Sequence, residues 1–508
     1  MRVSVERFTD AIVLRVLTQA LATPQRVCLR VDDAVYMISD VARLAVAVAQ
    51  RLSRLHVPHR SVALCGENSL TFLGVFLGAR LCDLQVQVLN PQWPEATLRQ
   101  TIHDLEPGLF LAKPAHTHLP VARPLADVLP VDDTDPVDFQ PWLARAREVA
   151  LRDTPFYTGF TSGSGGVAKG FTRDEASWLA SFRLDAGEYG LGPGDTVLCP
   201  GHVAHSLFLY ALLRGVYAGA EVATTQTART SWLIDAVATR PRGVVFAVPT
   251  QLRLLLNSGL RQAAGAQGLR LVLSSGAKLP PSWRAQLQAR FPAAGLREFY
   301  GSSELSYIAM APADARCPAD SVGRALPGVD VRILDDQDQA CAVGVSGRIF
   351  VHSPLRFMGY ARARGATDLG AMPVLDDALG TGDSGYLDAE GFLYITGRSD
   401  RMMSVAGRNL HPEAIEHVLV KCPGVEAACV LSVPDRLRGE RPVAVVLPSQ
   451  AGSLQRQSLI AQAAEWLPAY AIPQRYFVCH AWPQTLSQKT DVTRLRQALE
   501  AGELEPLP

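Results

Sequence analysis

The sequence predicts an α/β protein with a large N-terminal domain and a small α+β C-terminal domain. Three observations carry that expectation. Short apolar runs alternate with segments of helical spacing through the first part of the chain, as crossover-connected parallel strands require. After about Asp320 the texture changes to alternating valines, aspartates and glycines, the mark of antiparallel strands with tight turns. At 508 residues the chain is too long for one ordinary core.

In order along the chain, Val41 to Leu52 places apolar residues at helical spacing, Arg60 to Cys65 reads as a short buried strand, and Leu70 to Leu81 reads as the helix after it. The pattern recurs with strand candidates at Thr196 to Cys199, Gly243 to Val248 and Leu269 to Leu273. Val329 to Leu334 and Gly347 to Val351 open the β-rich part, and Phe392 to Ile395 closes it before a polar segment at Gly397 to Asp400. Beyond lie a helix at Pro412 to Val420, strands at Ala427 to Ser432 and Pro442 to Leu447, a helix near Gln457 to Leu467 and a polar tail. The boundary is placed at Arg398 to Asp400, giving domains 1–398 and 399–508. No internal repeat or low-complexity run interrupts this order.

Lys plus Arg and Asp plus Glu both number 49, for a formal net charge of +0, so no whole-molecule field favours nucleic acid or an anionic membrane. A hydrophobic fraction of 48% with 19% charged residues excludes a largely disordered chain. The cysteines (Cys28, Cys65, Cys82, Cys199, Cys317, Cys341, Cys422, Cys429 and Cys479) are scattered and form no C-x-x-C. They read as buried thiols in a reducing compartment rather than metal ligands or a redox pair. Met1 to Arg7 has no apolar core of a signal peptide. Glu67, Asn68 and Arg80 break the most apolar stretches, so none reaches the roughly 20 residues a bilayer span needs. The expectation is a soluble, cytoplasmic protein.

The strongest single feature is Thr158 to Gly170, which includes Thr161, Ser162, Gly163, Ser164, Gly165, Gly166 and Lys169. Glycines let backbone N–H groups approach phosphate oxygens, hydroxyls donate further bonds and the lysine adds charge. It is neither a Walker A loop, which needs Gly-Lys-Ser/Thr, nor a dinucleotide-binding glycine turn. The alternative for the loop alone is an ordinary flexible glycine–serine loop, common between regular elements, with the phosphate-binding reading preferred. Further motifs accompany it: Phe299-Tyr300-Gly301-Ser302-Ser303-Glu304, Thr381-Gly382-Asp383, Gly397-Arg398-Ser399-Asp400 and the segment from Pro483 to Asp491 that contains Lys489.

With these motifs in this order and spacing, essentially the whole chain resembles the adenylate-forming superfamily of acyl-CoA synthetases, peptide-synthetase adenylation domains and firefly luciferase. Within it, the segments around Gly159, Ser177 and Phe299 resemble bacterial acyl-CoA ligases most. The resemblance implies two α/β sheets plus a β-rich part in the N-terminal domain, and a mobile C-terminal domain. It implies ATP and Mg²⁺ as cofactors and a thiol acceptor, CoA or a carrier-protein phosphopantetheine. The acid and ATP would give an acyl-adenylate and pyrophosphate, and the thiol would then displace AMP. Such chemistry brings anions together, so it needs donors and cations placed beforehand.

By resemblance, the Thr161 to Lys169 loop holds the β- and γ-phosphates. Ser275, Gly276, Ala277, Tyr300 and Gly301 contact the nucleotide, with Tyr300 on adenine. Ser303 donates to the α-phosphate, and Glu304 holds Mg²⁺. Asp383 accepts from the ribose hydroxyls, which suits an ionised carboxylate, and Arg398 supports ribose and phosphate. Lys489 reaches the bond being made, as a compact point charge. His205 gates the acid, Asp400 is the hinge, and Gly407 lets the thiol arm approach. Read without the resemblance, Asp383 and Arg398 fit an ordinary salt-bridged turn as well as a nucleotide site, and a lone histidine such as His205 is usually structural. The chain departs from the family pattern at Ser164, Gly165 and Ala168 in the loop, at Ser404 after the hinge, and at Gln488 before the lysine; Ser303 replaces a threonine.

The acid is expected to be fatty or aromatic. Amino-acid-activating relatives carry an Asp where this chain has the apolar run Leu207-Phe208-Leu209-Tyr210, and an unpaired ammonium there would be costly. The expected wall is Leu207, Phe208, Tyr210, Pro249, Thr250, Ser275, Gly276 and Tyr307. Lys278 beside it reads as a solvated lysine or as a partner for a distal polar group of the substrate. Loading of a carrier protein, and a non-catalytic nucleotide- or acyl-binding role, stand as alternatives to CoA ligation.

Overall fold

The computed structural model describes residues 11–508 apart from 120, 130–136, 151–153, 163–167, 228, 230, 259–267, 313–316, 399–400, 402, 406–407, 436–438, 451, 453, 470 and 486–488. The chain forms two compact units. One comprises residues 1–316, 326–329 and 353–371; the other comprises 317–325, 330–352 and 372–508.

The first unit is built on two mixed, mostly parallel sheets. In one, the strand order is Ser306–Met310, Gly295–Ser302, Leu269–Ser274, Gly243–Ala247, Thr196–Cys199, Glu221–Thr224, Val27–Val31 and Ala34–Met37. The central strands are parallel, and Ser306–Met310 and Ala34–Met37 pair antiparallel on either side of them. The other sheet runs Thr367–Asp368, Gly359–Ala361, Ala168–Asp174, Pro155–Ser162, Gln85–Leu89, Ser61–Cys65, Leu109–Ala112 and Ala122–Pro124. Ser61–Cys65, Gln85–Leu89 and Gly243–Ala247 are buried at every position, as strands covered by helices on both faces must be. Gly243–Ala247 accordingly reads as a run without polar side chains, whereas Gln85–Leu89 alternates glutamine with valine although every position is buried. The Leu70–Leu81 helix begins at the expected residue because Ser69 Oγ accepts the Phe72 N–H at 3.0 Å.

The second unit holds the β-rich part and the C-terminal α+β part. Asp330–Leu334, Gly347–His352, Ala378–Leu387, Val374–Leu375 and Leu393–Arg398 form an antiparallel sheet. The C-terminal sheet centres on the long hairpin Val425–Asp435 and Gly439–Pro448. The Pro412–Lys421 helix covers it, with Ile415 and Leu419 packed among Met403, Val430, Val446 and Tyr476.

The polar tail is corrected by the structure. Val492–Glu500 is a helix, capped by Asp491, whose carboxylate accepts the Arg494 N–H at 3.0 Å. Leu495, with Val492, Ala498 and Leu499 on the same face, packs against Leu431, Val443 and Phe477. Sparse apolar residues at helical spacing suffice because one narrow stripe is all that is buried. Gly397 and Arg398, expected in a polar segment, instead complete the Leu393–Arg398 strand.

Candidate active site

In the first unit, the site segments follow the carboxyl ends of adjacent parallel strands. Thr196–Cys199, Gly243–Ala247, Leu269–Ser274 and Gly295–Ser302 lie side by side. His205 follows the first, Pro249 and Thr250 the second, and Ser275, Gly276 and Ala277 the third. Tyr300 to Glu304 end the fourth and turn beyond it. Open α/β sheets bind ligands at this edge, where loops diverge and backbone N–H groups are unpaired.

His205 caps the Ser206–Ala218 helix: its carbonyl accepts the Phe208 N–H at 3.0 Å. Burial, reinforced by His202, pulls its imidazole down to about 4, so it is neutral at pH 7. The loop before it is pinned from below. Buried Asn68 donates to the Gly201 and Thr225 carbonyls at 3.0 and 3.1 Å and accepts from the Val203 N–H at 3.0 Å. His202 Nε2 lies 3.4 Å from Glu67 Oε2, and Glu67 also takes the Lys113 ammonium. These two neighbours hold the Glu67 carboxyl at about 2.

Ser303 Oγ faces Ser206 Oγ at 3.4 Å, beside the start of that helix. Ser275 Oγ donates to the Phe299 carbonyl at 3.1 Å, tying the third strand's end to the fourth. Gly301 is required: a Cβ there would sit 1.9 Å from the Ser306 carbonyl oxygen, in the tight hairpin that follows Tyr300. Buried Arg173 donates Nη1 to the Ser303 carbonyl at 3.4 Å, and burial pulls its guanidinium down to about 10.

The glycine–serine loop connects two antiparallel strands, Pro155–Ser162 and Ala168–Asp174, with Thr161 opposite Lys169. The flanking elements are thus two paired strands, whereas a Walker A loop leads from a strand to a helix. Thr161 Oγ1 donates to the Lys169 carbonyl at 3.4 Å. The Lys169 ammonium lies 3.4 Å from the centroid of the Tyr360 ring, and the Tyr360 hydroxyl donates to Glu304 Oε1 at 3.2 Å. Glu304 Oε2 has no hydrogen bond or ion pair among the described residues. A half-buried carboxylate with one open oxygen fits magnesium, which binds through one or two carboxylates plus phosphate and water. Among the described residues no cluster of three or more His, Cys, Asp or Glu could hold a metal ion. Gly163, Ser164, Gly165 and Gly166 lie outside the described residues, as does the Ser162 side chain.

The expected acid wall is more polar behind its face than the sequence suggested. Phe208, Tyr210, Pro249 and Tyr307 are buried, and Leu207 and Thr250 half-buried. The Tyr210 and Tyr307 rings meet edge to face at 5.5 Å. Behind them Asp185 accepts from the Tyr210 hydroxyl at 2.6 Å, the Tyr189 hydroxyl at 3.0 Å and Arg214 Nε at 2.7 Å. Tyr189 and Tyr307 hydroxyls lie 3.1 Å apart. Burial raises the Asp185 carboxyl above its ordinary range. A carboxylate thus stands behind the wall, but Arg214 already neutralises it, which leaves the argument against an ammonium-bearing substrate intact. Lys278 is partly exposed, and its ammonium lies 3.7 Å from Oε1 of buried Glu298, which also holds Arg284 at 2.5 Å.

In the second unit, Asp383 and Arg398 are directly opposed on antiparallel strands, with Arg398 Nη1 3.3 Å from Asp383 Oδ1. Gly382 precedes with φ +77°, a left-handed turn that only glycine enters without strain, and the Asp383 N–H donates to Thr381 Oγ1 at 3.0 Å. Lys489 is exposed on a loop closed by the Thr485 N–H donating to its carbonyl at 2.8 Å and its own N–H donating to Thr485 Oγ1 at 3.2 Å. Trp482 Nε1 pins the loop's far side through Thr490 Oγ1 at 3.1 Å. Asp400 and Gly407 lie outside the described residues.

Sequence reasoning missed Asn68, Arg173, Asp185, Arg214 and Tyr360. Helical spacing offered a partial signal, since Asp185 and Tyr189, and Tyr210 and Arg214, each share a face. Nothing local linked the two helices.

Among the described residues no helix is long and apolar enough to cross a membrane. All nine cysteines are free, and burial pushes Cys28, Cys65 and Cys199 up to about 12.

Residues 16–361 match the AMP-binding enzyme family, and residues 414–489 match the AMP-binding enzyme C-terminal domain. An uncharacterised acyl-CoA ligase of Bacillus subtilis (strain 168) is 32% identical, over 95% of this chain and 97% of the relative. The indoleacetate–CoA ligase of Aromatoleum aromaticum is 27% identical, over 93% of this chain and 95% of its own length. Among solved structures, the o-succinylbenzoate CoA synthetase of Bacillus subtilis, in complex with its acyl-adenylate intermediate, superposes with TM-score 0.81 at 22% identity, covering 95% of this chain and 97% of that one. The amide bond synthetase of Marinactinospora thermotolerans does so with TM-score 0.83 at 22% identity, over 97% and 99%. These two share the fold. On the family match and the full-length relative, this chain belongs to the AMP-binding enzyme family.

Proposed function

We propose that this chain is an AMP-forming acid–CoA ligase. It joins a carboxylic acid to the α-phosphate of ATP, releasing pyrophosphate, and then transfers the acyl group to the CoA thiol, releasing AMP. The single observation that carries this reading is the set of site segments gathered at the carboxyl ends of four neighbouring parallel strands. Relatives named for ligation of CoA to indoleacetate and 3-hydroxybenzoate support an acid of this kind.

Lys169 and the loop before it bind the terminal phosphates, and Ser303 donates to the α-phosphate. Tyr300 packs on adenine, and Asp383 and Arg398 hold the ribose. Magnesium, when bound at Glu304, supplies charge neutralisation for the phosphates. His205, kept neutral by burial, presents a hydrogen-bonding edge to the acid without adding a cation. Residues 1–398 form the nucleotide- and acid-binding part; residues 399–508 carry Lys489, with Asp400 as the hinge and Gly407 along the thiol path. An aromatic acid is favoured over a long alkyl chain, because the buried Tyr210–Tyr307 pair would have to part to admit a long chain.

The test is acid-dependent AMP release with ATP and Mg²⁺, across fatty, dicarboxylic, aromatic and amino acids, with CoA and then with a phosphopantetheinylated carrier protein. Turnover with aromatic acids and CoA is the expected result. Turnover only with the carrier would reassign the acceptor. Lys489→Ala should cut adenylation by about a hundredfold or more, the cost of losing one transition-state donor; an unchanged rate would remove the lysine from the chemistry.

A further inference from the structure

We propose that Tyr360 is the positioning residue that sets the magnesium-binding carboxylate and the phosphate-binding lysine together. Phe357 N–H donates to the Glu304 carbonyl at 2.7 Å, anchoring the segment before Tyr360 to the turn that carries Glu304. The short Gly359–Ala361 strand then pairs with Ala168–Asp174, so that Tyr360 stands opposite Phe171. Lys169, two residues along the strand from Phe171, lies on the same face as a diagonal neighbour within reach of a long side chain. The result is one buried tyrosine with two polar duties. Its ring faces the Lys169 ammonium at 3.4 Å, and its hydroxyl donates to Glu304 Oε1 at 3.2 Å.

Each contact has a separate consequence. The ring selects one orientation of an otherwise exposed, flexible lysine, lowering the ordering cost when a phosphate arrives. The ammonium keeps its solvent side for that phosphate. The hydroxyl fixes one carboxylate oxygen and leaves Oε2 without a hydrogen bond among the described residues. Phe357 packs edge to face on the same ring at 5.0 Å, which holds the ring in place. Tyr360 touches neither reacting bond; it acts through its two neighbours.

The inference rests on the reading of Lys169 as a phosphate ligand and of Glu304 as the magnesium ligand. The experiment therefore measures ATP binding by calorimetry in the absence of acid, with and without Mg²⁺, alongside melting temperature. Tyr360→Phe keeps the ring and removes the donor. It should leave metal-free ATP affinity within about twofold of wild type and raise the Mg²⁺ needed for half-maximal tightening by about tenfold or more, as loss of one hydrogen bond to a charged group implies. Tyr360→Leu should show that shift and also weaken metal-free ATP binding by about threefold or more. Glu304→Gln and Lys169→Ala are the reference variants. If they alter Mg²⁺ dependence and ATP affinity but Tyr360→Phe alters neither, the inference is overturned while the site reading stands. If the reference variants have no effect, the site reading itself fails. If Tyr360→Phe weakens metal-free and metal-dependent binding alike, with a lower melting temperature, the tyrosine is only a packing residue.

Discussion

Replacing Asp185 by Asn should destabilise the first unit severely without touching any surface. The Asp185 and Arg214 side chains are 0% and 4% exposed, with Arg214 Nε 2.7 Å from one carboxylate oxygen. Asn keeps the size and one acceptor for Tyr210, but it removes the carboxylate that pairs with Arg214 among the described residues and turns an amide donor toward a guanidinium. A buried charge stripped of its partner costs about 3–5 kcal/mol. That is a large share of a typical folding stability of about 5–15 kcal/mol. The assay is urea unfolding followed by circular dichroism and by tryptophan fluorescence. Trp178 lies 5.6 Å from the Tyr210 ring and reports on this cluster directly. The paired replacement Asp185→Leu with Arg214→Met should be less damaging than the two single changes summed, with a coupling of about 1–3 kcal/mol. A cost below about 1 kcal/mol for Asp185→Asn, or strict additivity in the double variant, would refute the account of the network as a neutralised buried pair.

Two further outcomes follow from the same geometry. His205 has its imidazole pulled from 6.5 to about 4, so the unfolded chain takes up the proton first; stability is full above pH 6.5 and declines as pH falls toward 4. The decline is worth up to about 3 kcal/mol, and His205→Gln should abolish that part of the difference between pH 7 and pH 4 in melting experiments; parallel pH profiles for the two proteins would contradict it. Lys278→Ala should leave the order of acid preference unchanged and cost no more than about 1 kcal/mol, because Arg284 and the Leu279 N–H still hold Glu298. A tenfold change in preference between acids would instead place Lys278 at the substrate.

Much of the fold was legible because its signals are local. Val62–Cys65, Gly243–Ala247 and Leu271–Leu273 are short runs without polar side chains, and burial on both faces of a parallel sheet favours that pattern. Leu70 to Leu81 showed helical spacing, and the apolar run after His205 announced the start of Ser206–Ala218. The tail helix was missed because its apolar stripe is thin; its one deeply buried residue, Leu495, needs Leu431 and Phe477 to cover it.

The chain by itself determined the order of the motifs, and with it which side chains could carry nucleotide chemistry, since glycine, hydroxyl and charge are chemical facts at fixed positions. Only the tertiary structure decided what those side chains face. Tyr360 reaches Glu304 across 56 residues, Asn68 reaches the Gly201 carbonyl across 133, and Arg214 meets Asp185 from a different helix. None of these pairs lies within a helical turn or a hairpin register, so no local spacing encodes it. Partners of buried polar groups are fixed by how sheets and helices pack, because only there does the cost of leaving them unpaired select one arrangement.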